Sequence, residues 1–383
     1  MRKVCVTVTA RSSYSRVKTA LEAINQHPDL ELILVLAFSA VLDRYGSMVA
    51  QAERDGFVPR HLLYTSIEGE NLISMPKSTA LGILELATLF NELRPDVVVT
   101  VADRFETMSA AIAAAYQNIP LCHLQGGEIT GSIDEKVRHA VTKLADLHFV
   151  SSVQAAERVW RMGEDERAVF VTGCPSIDIA ARLLDDPALD FDPIQRYGGV
   201  GDKFDHSKGY VVVMQHPVTT EYAGARDHIL ETLHAVQELG VPAFLFWPNI
   251  DAGSDGTSEG IRAFRELEKP VRMRFFKNMA PEDFLKLIYN SACLIGNSSV
   301  GIRECSFLGV PVVNIGSRQH GRDRGANAVD VPYEREQILA AARSQINHGR
   351  FKQDTLYGTG DSGRQIAHLL ATLPLTNQKS LDY

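Results

Sequence analysis

The sequence predicts an α/β protein built from two doubly wound parallel sheets. Short β-branched or apolar runs alternate with helical patterns along its whole length, the signature of parallel strands with helices on both faces. Charged and glycine residues stand directly after run upon run, where such sheets keep their ligands. A length of 383 residues exceeds what one core comfortably holds, so two domains are expected.

The elements follow in order. Residues 3–9 are β-branched and apolar and read as a first strand. Residues 16–26 carry apolar side chains at helical spacing (Val17, Ala20, Leu21, Ile24). Residues 30–37 return to a strand pattern, and 97–101, 121–124, 148–150 and 169–171 repeat it, each with a helical segment behind. Residues 184–208 break the rhythm: Asp, Gly and Pro are frequent and no period persists, which reads as an interdomain connection or long surface loop. Alternation restarts with strands at 210–214, 243–247, 272–275, 293–295 and 312–315, and a helix over 361–372 closes the chain. The expected domains are 1–185, 186–360 and a terminal helical segment 361–383.

Composition sets bounds on function. The chain is 45% hydrophobic and 22% charged, as in soluble globular proteins. A net charge of −8 without a basic run argues against nucleic acid and against anionic membranes as partners. Any anionic ligand must then be held by local cations. Cys5, Cys122, Cys174, Cys293 and Cys305 are scattered and lack C-x-x-C spacing, which reads as buried free thiols in a reducing compartment. The apolar stretch before Arg11 is too short for a signal peptide, and the longest apolar run, 33–42, is half a membrane span. A cytoplasmic location is expected.

No G-x-G-x-x-G or Walker loop is present, so dinucleotide cofactors and P-loop chemistry lose their main support. Polar clusters instead follow the strands: Arg11 and Ser15; Asp103 and Arg104; Gly126, Gly127 and Glu128; His216; Asn249 and Asp251; Asn297, Ser298 and Ser299. Their placement predicts a cleft between the two domains. Bland readings stand beside the functional ones. Asp103 and Glu106 form a D-x-x-E capping box, and Ser132 and Glu135 an S-x-x-E one. Asp134 also reads as a helix-dipole partner, Gly126-Gly127 as a plain turn, and Arg104 as a solvated cation. His216 precedes Pro217, which holds it extended; alone it reads as a packed or surface histidine. A helix opening near Ser298 suits phosphate or simply has a serine cap. Glu304, two turns into that helix, suits ribose hydroxyls or solvent.

Taken together, DRFE, HLQGGEITGSIDEKVRHAVTKLA, GCPSID, QHPVTTE, WPNIDAGS, GNSSVGIRE and GSRQHGR resemble the hydrolysing UDP-N-acetylglucosamine 2-epimerases of bacterial sialic-acid pathways. The resemblance runs from about residue 3 to about 330, in order. Non-hydrolysing relatives read DTTT, AGLR, HRREN and DSGGxQEE where this chain has DRFE, GGEI, HPVTTE and NSSVGIRE, which favours the hydrolysing branch. The resemblance implies two Rossmann-like domains with an interdomain cleft, as in glycosyltransferase-B enzymes, a last helix packed back on the first domain, and a homodimer or tetramer. It implies that Arg11, Ser15, Arg104 and His216 line a UDP-sugar, with His216 and Arg11 near the diphosphate. Ser298 and Ser299 would meet the phosphates, Glu304 the ribose, and Asn249, Asp251 and Arg318 the rest of the pocket. Asp103 and Asp134 would be the catalytic carboxylates.

The implied reaction removes the sugar C2 proton and expels UDP to give a glycal, and water then yields a free mannosamine-type sugar. That needs a positioned carboxylate and a stabilised leaving group, and no metal or redox cofactor. Gln125 stands where family members often carry a catalytic glutamate, and a glutamine cannot take a proton: either Glu128 would take more of that work, or Asp103 and Asp134 suffice, or the acceptor chemistry differs. The first motif reads VTARSSY against T-G-T-R-x-D-Y, with Thr9 for Gly and Ser13 for Asp. These departures leave the sugar open. UDP- or GDP-N,N'-diacetylbacillosamine of the legionaminic-acid route is the alternative substrate, and a glycosyltransferase or a nucleotide-sugar sensor on the same fold are alternative activities.

Overall fold

The apolar runs of the first half form β1 (Arg2–Val8), β2 (Leu30–Ala37), β3 (His61–Leu63), β4 (Val97–Val101), β5 (Leu121–Leu124), β6 (Leu147–Val150) and β7 (Val169–Val171). They pair in parallel in the order β3-β2-β1-β4-β5-β6-β7. The second half forms β8 (Val200–Gly201), β9 (Val211–Met214), β10 (Ala243–Phe246), β11 (Met273–Phe276), β12 (Cys293–Gly296), β13 (Val312–Ile315) and β14 (Ala328–Val331). Their order is β14-β13-β12-β9-β10-β11-β8, parallel except where β8 meets β11. The computed structural model describes residues 1–42, 48–67, 73–101, 104–130, 134–218, 220–248 and 254–380, without the side chains of Arg11 and Ser12. The chain is thus an α/β protein of two units, one comprising Met1–Glu128, Ile133–Ile179 and Tyr357–Tyr383, the other Ile129–Ser132 and Ala180–Leu356.

Strand parity builds each core. In β1, Val4, Val6 and Val8 join one face, packed with Leu21 and Ile24 of the Lys18–Gln26 helix and Ile366 and Leu370 of the Ser362–Thr372 helix. Cys5 joins the other face, with Val35, Val98 and the helical side chains Leu86, Phe90, Ala110 and Ala114. Helices on both faces explain why VVVTV lacks polar alternation. In the second unit Val211, Val213, Leu245, Ile295 and Val313 pack against Ile229, Leu233, Phe264 and Ile338. Each such side chain contributes about 1.5–3 kcal/mol. An exposed ion pair such as Arg167–Asp165 contributes about 0–1 kcal/mol, so the sheets carry the stability.

Some elements differ from expectation. β3 is three half-buried residues and β14 has an exposed interior, so neither edge carries enough apolar residues to show a period. Residues 184–208 are not a bare connection. They hold the Pro193–Tyr197 helix, capped by Asp192 Oδ1 on the Ile194 and Gln195 amides at 2.7 and 3.2 Å, and the antiparallel strand β8. All five cysteines are free and buried, and burial pushes Cys5 and Cys293 up to about 12. Among the described residues, no helix is long and apolar enough to cross a membrane.

The terminal helix is anchored by buried polar contacts. Asp178 accepts the Ser362 and Gly363 amides at 2.9 and 2.7 Å and the Thr19 hydroxyl at 2.7 Å. Gly363 lies so close to Thr19 that a Cβ would stand 2.4 Å from its carbonyl oxygen. Beyond the helix, Lys379 pairs with Glu164, which also takes Lys143 Nζ at 2.6 Å and His148 Nε2 at 3.0 Å. Burial alone would raise the Glu164 carboxyl, but the hydrogen bonds from His148, Lys143 and Lys379 outweigh it and hold it at about 2.

A depressed carboxyl stabilises the fold above its unfolded value and loses that contribution as pH falls towards the folded one. Glu164→Gln should therefore cost about 2 kcal/mol at pH 7. That is less than the loss of a fully buried partner, because both lysines keep solvent access. The gap from wild type, measured by urea unfolding, should narrow between pH 5 and pH 3. A gap constant over that range would exclude this anchor.

Candidate active site

Each sheet reverses its winding direction once, between β1 and β4 in the first and between β9 and β12 in the second. Ligands of open parallel sheets bind outside the carboxyl ends at such a point. In the first unit the Arg11–Ser15 helix follows β1. Arg104 follows β4, and its guanidinium pairs with buried Glu106 (Nη2–Oε1 3.1 Å).

After β5 the chain turns sharply. Gln125 has φ 64°, unusual for a side-chain-bearing residue, and is buried. Its Nε2 donates to Cys174 Sγ at 3.2 Å and to the Arg16 carbonyl at 3.5 Å. Gly127 has φ 74°, and a Cβ there would stand 2.2 Å from the Ala155 carbonyl oxygen. Buried Glu128 accepts the Ser151 hydroxyl at 2.7 Å. Two guanidinium groups fix the loop's carbonyls: Arg138 donates to Glu128 O at 2.7 Å and Arg158 to Gly127 O at 3.2 Å. Arg138 is fully buried and also meets Glu135 at 3.0 Å. Asp134 heads the Asp134–Leu144 helix, half-buried. His123 packs against Thr142, Nδ1 to Oγ1 3.1 Å, within the protein interior.

In the second unit His216 follows β9 and is buried. Asn297 follows β12 and is wholly buried; its Oδ1 accepts the His216 amide at 2.7 Å and its Nδ2 donates to the His216 carbonyl at 2.9 Å. Ser298 caps the Ser299–Ile302 helix by accepting the Val300 amide at 3.5 Å. Arg318, after β13, donates to the Asn297 carbonyl at 3.3 Å, and Gln319 does so at 2.9 Å. Beside these loops a cavity of about 900 Å³ is lined by Glu221, His228, Ser317 and Tyr333 among others.

The structure thus gathers Ser15, Arg104, Gln125 and Glu128 at the carboxyl edge of one sheet. It gathers His216, Ser298, Ser299 and Arg318 at that of the other. Asp103, Asn249, Asp251 and the Arg11 side chain lie outside the described residues. Two local expectations are corrected. Glu106 is itself the N-cap of the Thr107–Tyr116 helix and bonds Arg104, so it is not the third residue of a capping box. Glu135 lies in the first turn of the Asp134–Leu144 helix and serves Arg138 and His139, while Ser132 lies outside the described residues. Glu304 is not two turns into one helix: Arg303, buried at ψ −74°, interrupts the run, and Glu304 opens a separate helix, Glu304–Leu308. Its Oε2 is buried without a hydrogen-bond partner. Sequence reading gave Asn297 no role beyond a place in the cluster, and Ser151 and Cys174 none, because burial and pairing decide all three.

Gly127→Ala combines a left-handed backbone with a clash against a carbonyl, and should cost about 3 kcal/mol in chemical denaturation. Gln125→Glu places a carboxyl in a buried position. It should fold but lose about 1–3 kcal/mol at pH 8, and less at pH 5, where the carboxyl is kept protonated. Equal losses at both pH values would exclude a buried position for residue 125.

The comparisons with known proteins agree with this geometry. The family model described as UDP-N-acetylglucosamine 2-epimerase matches residues 22–371. The chain is 31% identical over 378 residues to the UDP-N,N'-diacetylbacillosamine 2-epimerase (hydrolyzing) of Legionella pneumophila, covering 99% of this chain and 98% of that one. It is 30% identical over 365 residues to the UDP-N-acetylglucosamine 2-epimerase of Neisseria meningitidis, covering 94% and 92%. Among solved structures, the UDP-GlcNAc 2-epimerase from Neisseria meningitidis bound to UDP-GlcNAc shares the fold, with a TM-score of 0.80, 17% identity and coverage of 96% and 99%. The chain belongs to the UDP-N-acetylglucosamine 2-epimerase family.

Proposed function

We propose that this protein is a hydrolysing UDP-sugar 2-epimerase that converts UDP-GlcNAc, or a close UDP-2-acetamido sugar, and water to UDP and the free mannosamine-type sugar. The observation that carries the proposal is the position of the described candidates Ser15, Arg104, Gln125, Glu128, His216, Ser298, Ser299 and Arg318, after the carboxyl ends of strands. In the first step a carboxylate takes the C2 proton. The C–H electron pair becomes the C1=C2 bond, and UDP leaves C1 with its bonding pair. Water then adds across that bond: its oxygen bonds C1, its proton and the one held by the first carboxylate go to solvent and a second acid, and that acid gives a solvent-derived proton to C2 on the opposite face.

Asp103 and Asp134 are the proposed proton-handling carboxylates. Gln125 and Glu128 shape the sugar end. The loop carrying them is tied by Arg138 and Arg158, so its geometry is set before substrate arrives. Arg11, Ser15, Arg104, His216, Arg318, Ser298 and Ser299 are assigned to the UDP-sugar, with Asn249 and Asp251 completing the pocket. Cations and serine hydroxyls at the diphosphate stabilise the charge that develops on the leaving group. Glu304 has a buried oxygen lacking a donor, which suits a ribose hydroxyl.

The match to a diacetylbacillosamine enzyme supports a second substrate, the 2,4-diacetamido sugar, as strongly as it supports UDP-GlcNAc. The resemblance further supports a cytoplasmic homodimer or tetramer in nonulosonic-acid synthesis. The two units are proposed to act as a UDP-binding domain and a sugar-end domain.

Incubation without an acceptor tests the reading. Phosphorus NMR should show UDP released, and in D2O the free sugar should carry deuterium at C2. Turnover that waits for an added acceptor means a glycosyltransferase, and binding without release means a sensor. Asp134→Asn should abolish product while leaving UDP binding by calorimetry nearly intact. Glu304→Ala should weaken UDP about tenfold, the worth of one hydrogen bond to a charged group.

A further inference from the structure

We propose that Asn297 is a positioning residue that sets His216 for the reaction. Its amide makes a closed pair with one residue: Oδ1 takes the His216 N–H at 2.7 Å and Nδ2 gives to the His216 C=O at 2.9 Å. Both peptide groups flanking His216 are thereby fixed, and Pro217 restricts the same residue from the other side. That backbone fixes the direction of the His216 Cα–Cβ bond, from which the imidazole projects. The Asn297 carbonyl in turn accepts from Gln319 at 2.9 Å and Arg318 at 3.3 Å. One residue thus ties three loops, those after β9, β12 and β13.

The site demands asparagine. A donor and an acceptor are needed on one short side chain, and the position is fully buried. An aspartate would set an acceptor against the His216 carbonyl with no solvent to relieve it. The close approach is prepared one residue earlier. Gly296 has φ 140°, and a Cβ there would stand 2.0 Å from the Met214 carbonyl oxygen, so the two strand ends meet only because residue 296 is glycine. Tyr333 closes the far side: its ring covers Gly316, and its hydroxyl interacts with the Asn297 side chain.

The proposal rests on the reading of His216 as a group at the diphosphate, and a double-mutant cycle tests it. Release of UDP from UDP-GlcNAc, and from the diacetamido analogue, is measured for wild type, Asn297→Ala, His216→Ala and the double variant, together with thermal midpoints. Asn297→Ala should lower kcat/KM about 100-fold, mostly in kcat, as misplacement by a fraction of an ångström does. In the His216→Ala background the same change should cost less than about threefold, while its effect on the midpoint is unchanged.

Gln345→Ala is the control. Its amide also bridges two buried backbone carbonyls of this unit, Val312 and Asn327, at 2.8 and 2.9 Å. It should lower the midpoint comparably and leave turnover of the folded enzyme unchanged. If Asn297→Ala does not fold, Asn297→Ser, which retains one donor and acceptor, carries the same cycle. Equal losses in both His216 backgrounds, or an equal loss of rate in Gln345→Ala, overturn the role of Asn297. A wild type that releases UDP from neither sugar overturns the functional reading instead, before any variant is made.

Discussion

A parallel sheet sends every strand-to-helix loop to one edge, and at the strand pair where winding reverses two loops leave in opposite directions. In this protein that constraint falls on β9 and β12, paired with Gly296 opposite Met214. Loops that diverge open a space between them, yet their first residues remain within hydrogen-bonding reach. Asn297 is the first residue after β12 and His216 the second after β9. The amide pair between them is the point at which strand register becomes side-chain geometry. The first sheet has the same arrangement at β1 and β4, with the Arg11–Ser15 helix and Arg104 leaving adjacent strands.

Both edges are held by buried polar contacts rather than by apolar packing. A loop backbone withdrawn from water must have its carbonyls and amides satisfied. Arg138 and Arg158 do this for the Gly-Gly turn, and Asn297 does it for His216. Fully buried arginine is costly unless paired, and Arg138 finds Glu135 and the Glu128 carbonyl together. Such networks lock one geometry, because each member that moves leaves another unpaired. They suit residues that must be in place before a ligand binds. Away from the edges stability comes from Val, Ile, Leu and Phe on both faces of each sheet, and the Ser362–Thr372 helix completes one of those faces.

The central strands were readable because they are covered on both sides: runs such as VVVTV and VVVM leave no other reading. β3, β8 and β14 escaped because they are short edge strands without an unbroken β-branched or aromatic run, whereas β7, equally short and at an edge, was legible as VFV. At the site, residue types after strands marked Arg104, Glu128, His216 and Ser298 as candidates. The capping box at Asp103–Glu106 misled because the helix begins only at Thr107, and Glu106 pairs with Arg104 instead of facing back to a cap. The interruption at Arg303 was invisible because arginine is not a helix-breaking residue.

The sequence by itself determined the alternation of strands and helices, and it presented the ordered motifs that mark the family. Both are written in local patterns: periodicity of burial, and short runs of residues that the chemistry requires adjacent in the chain. Tertiary structure decided what pairs with what. That Asn297 grips His216 across 81 residues, that Gln125 meets Cys174, and that Lys379 reaches Glu164 depend on which strands lie side by side. Such contacts follow from sheet order and register. The sequence constrains those only through the sum of many weak packing preferences, and no short stretch of it records them.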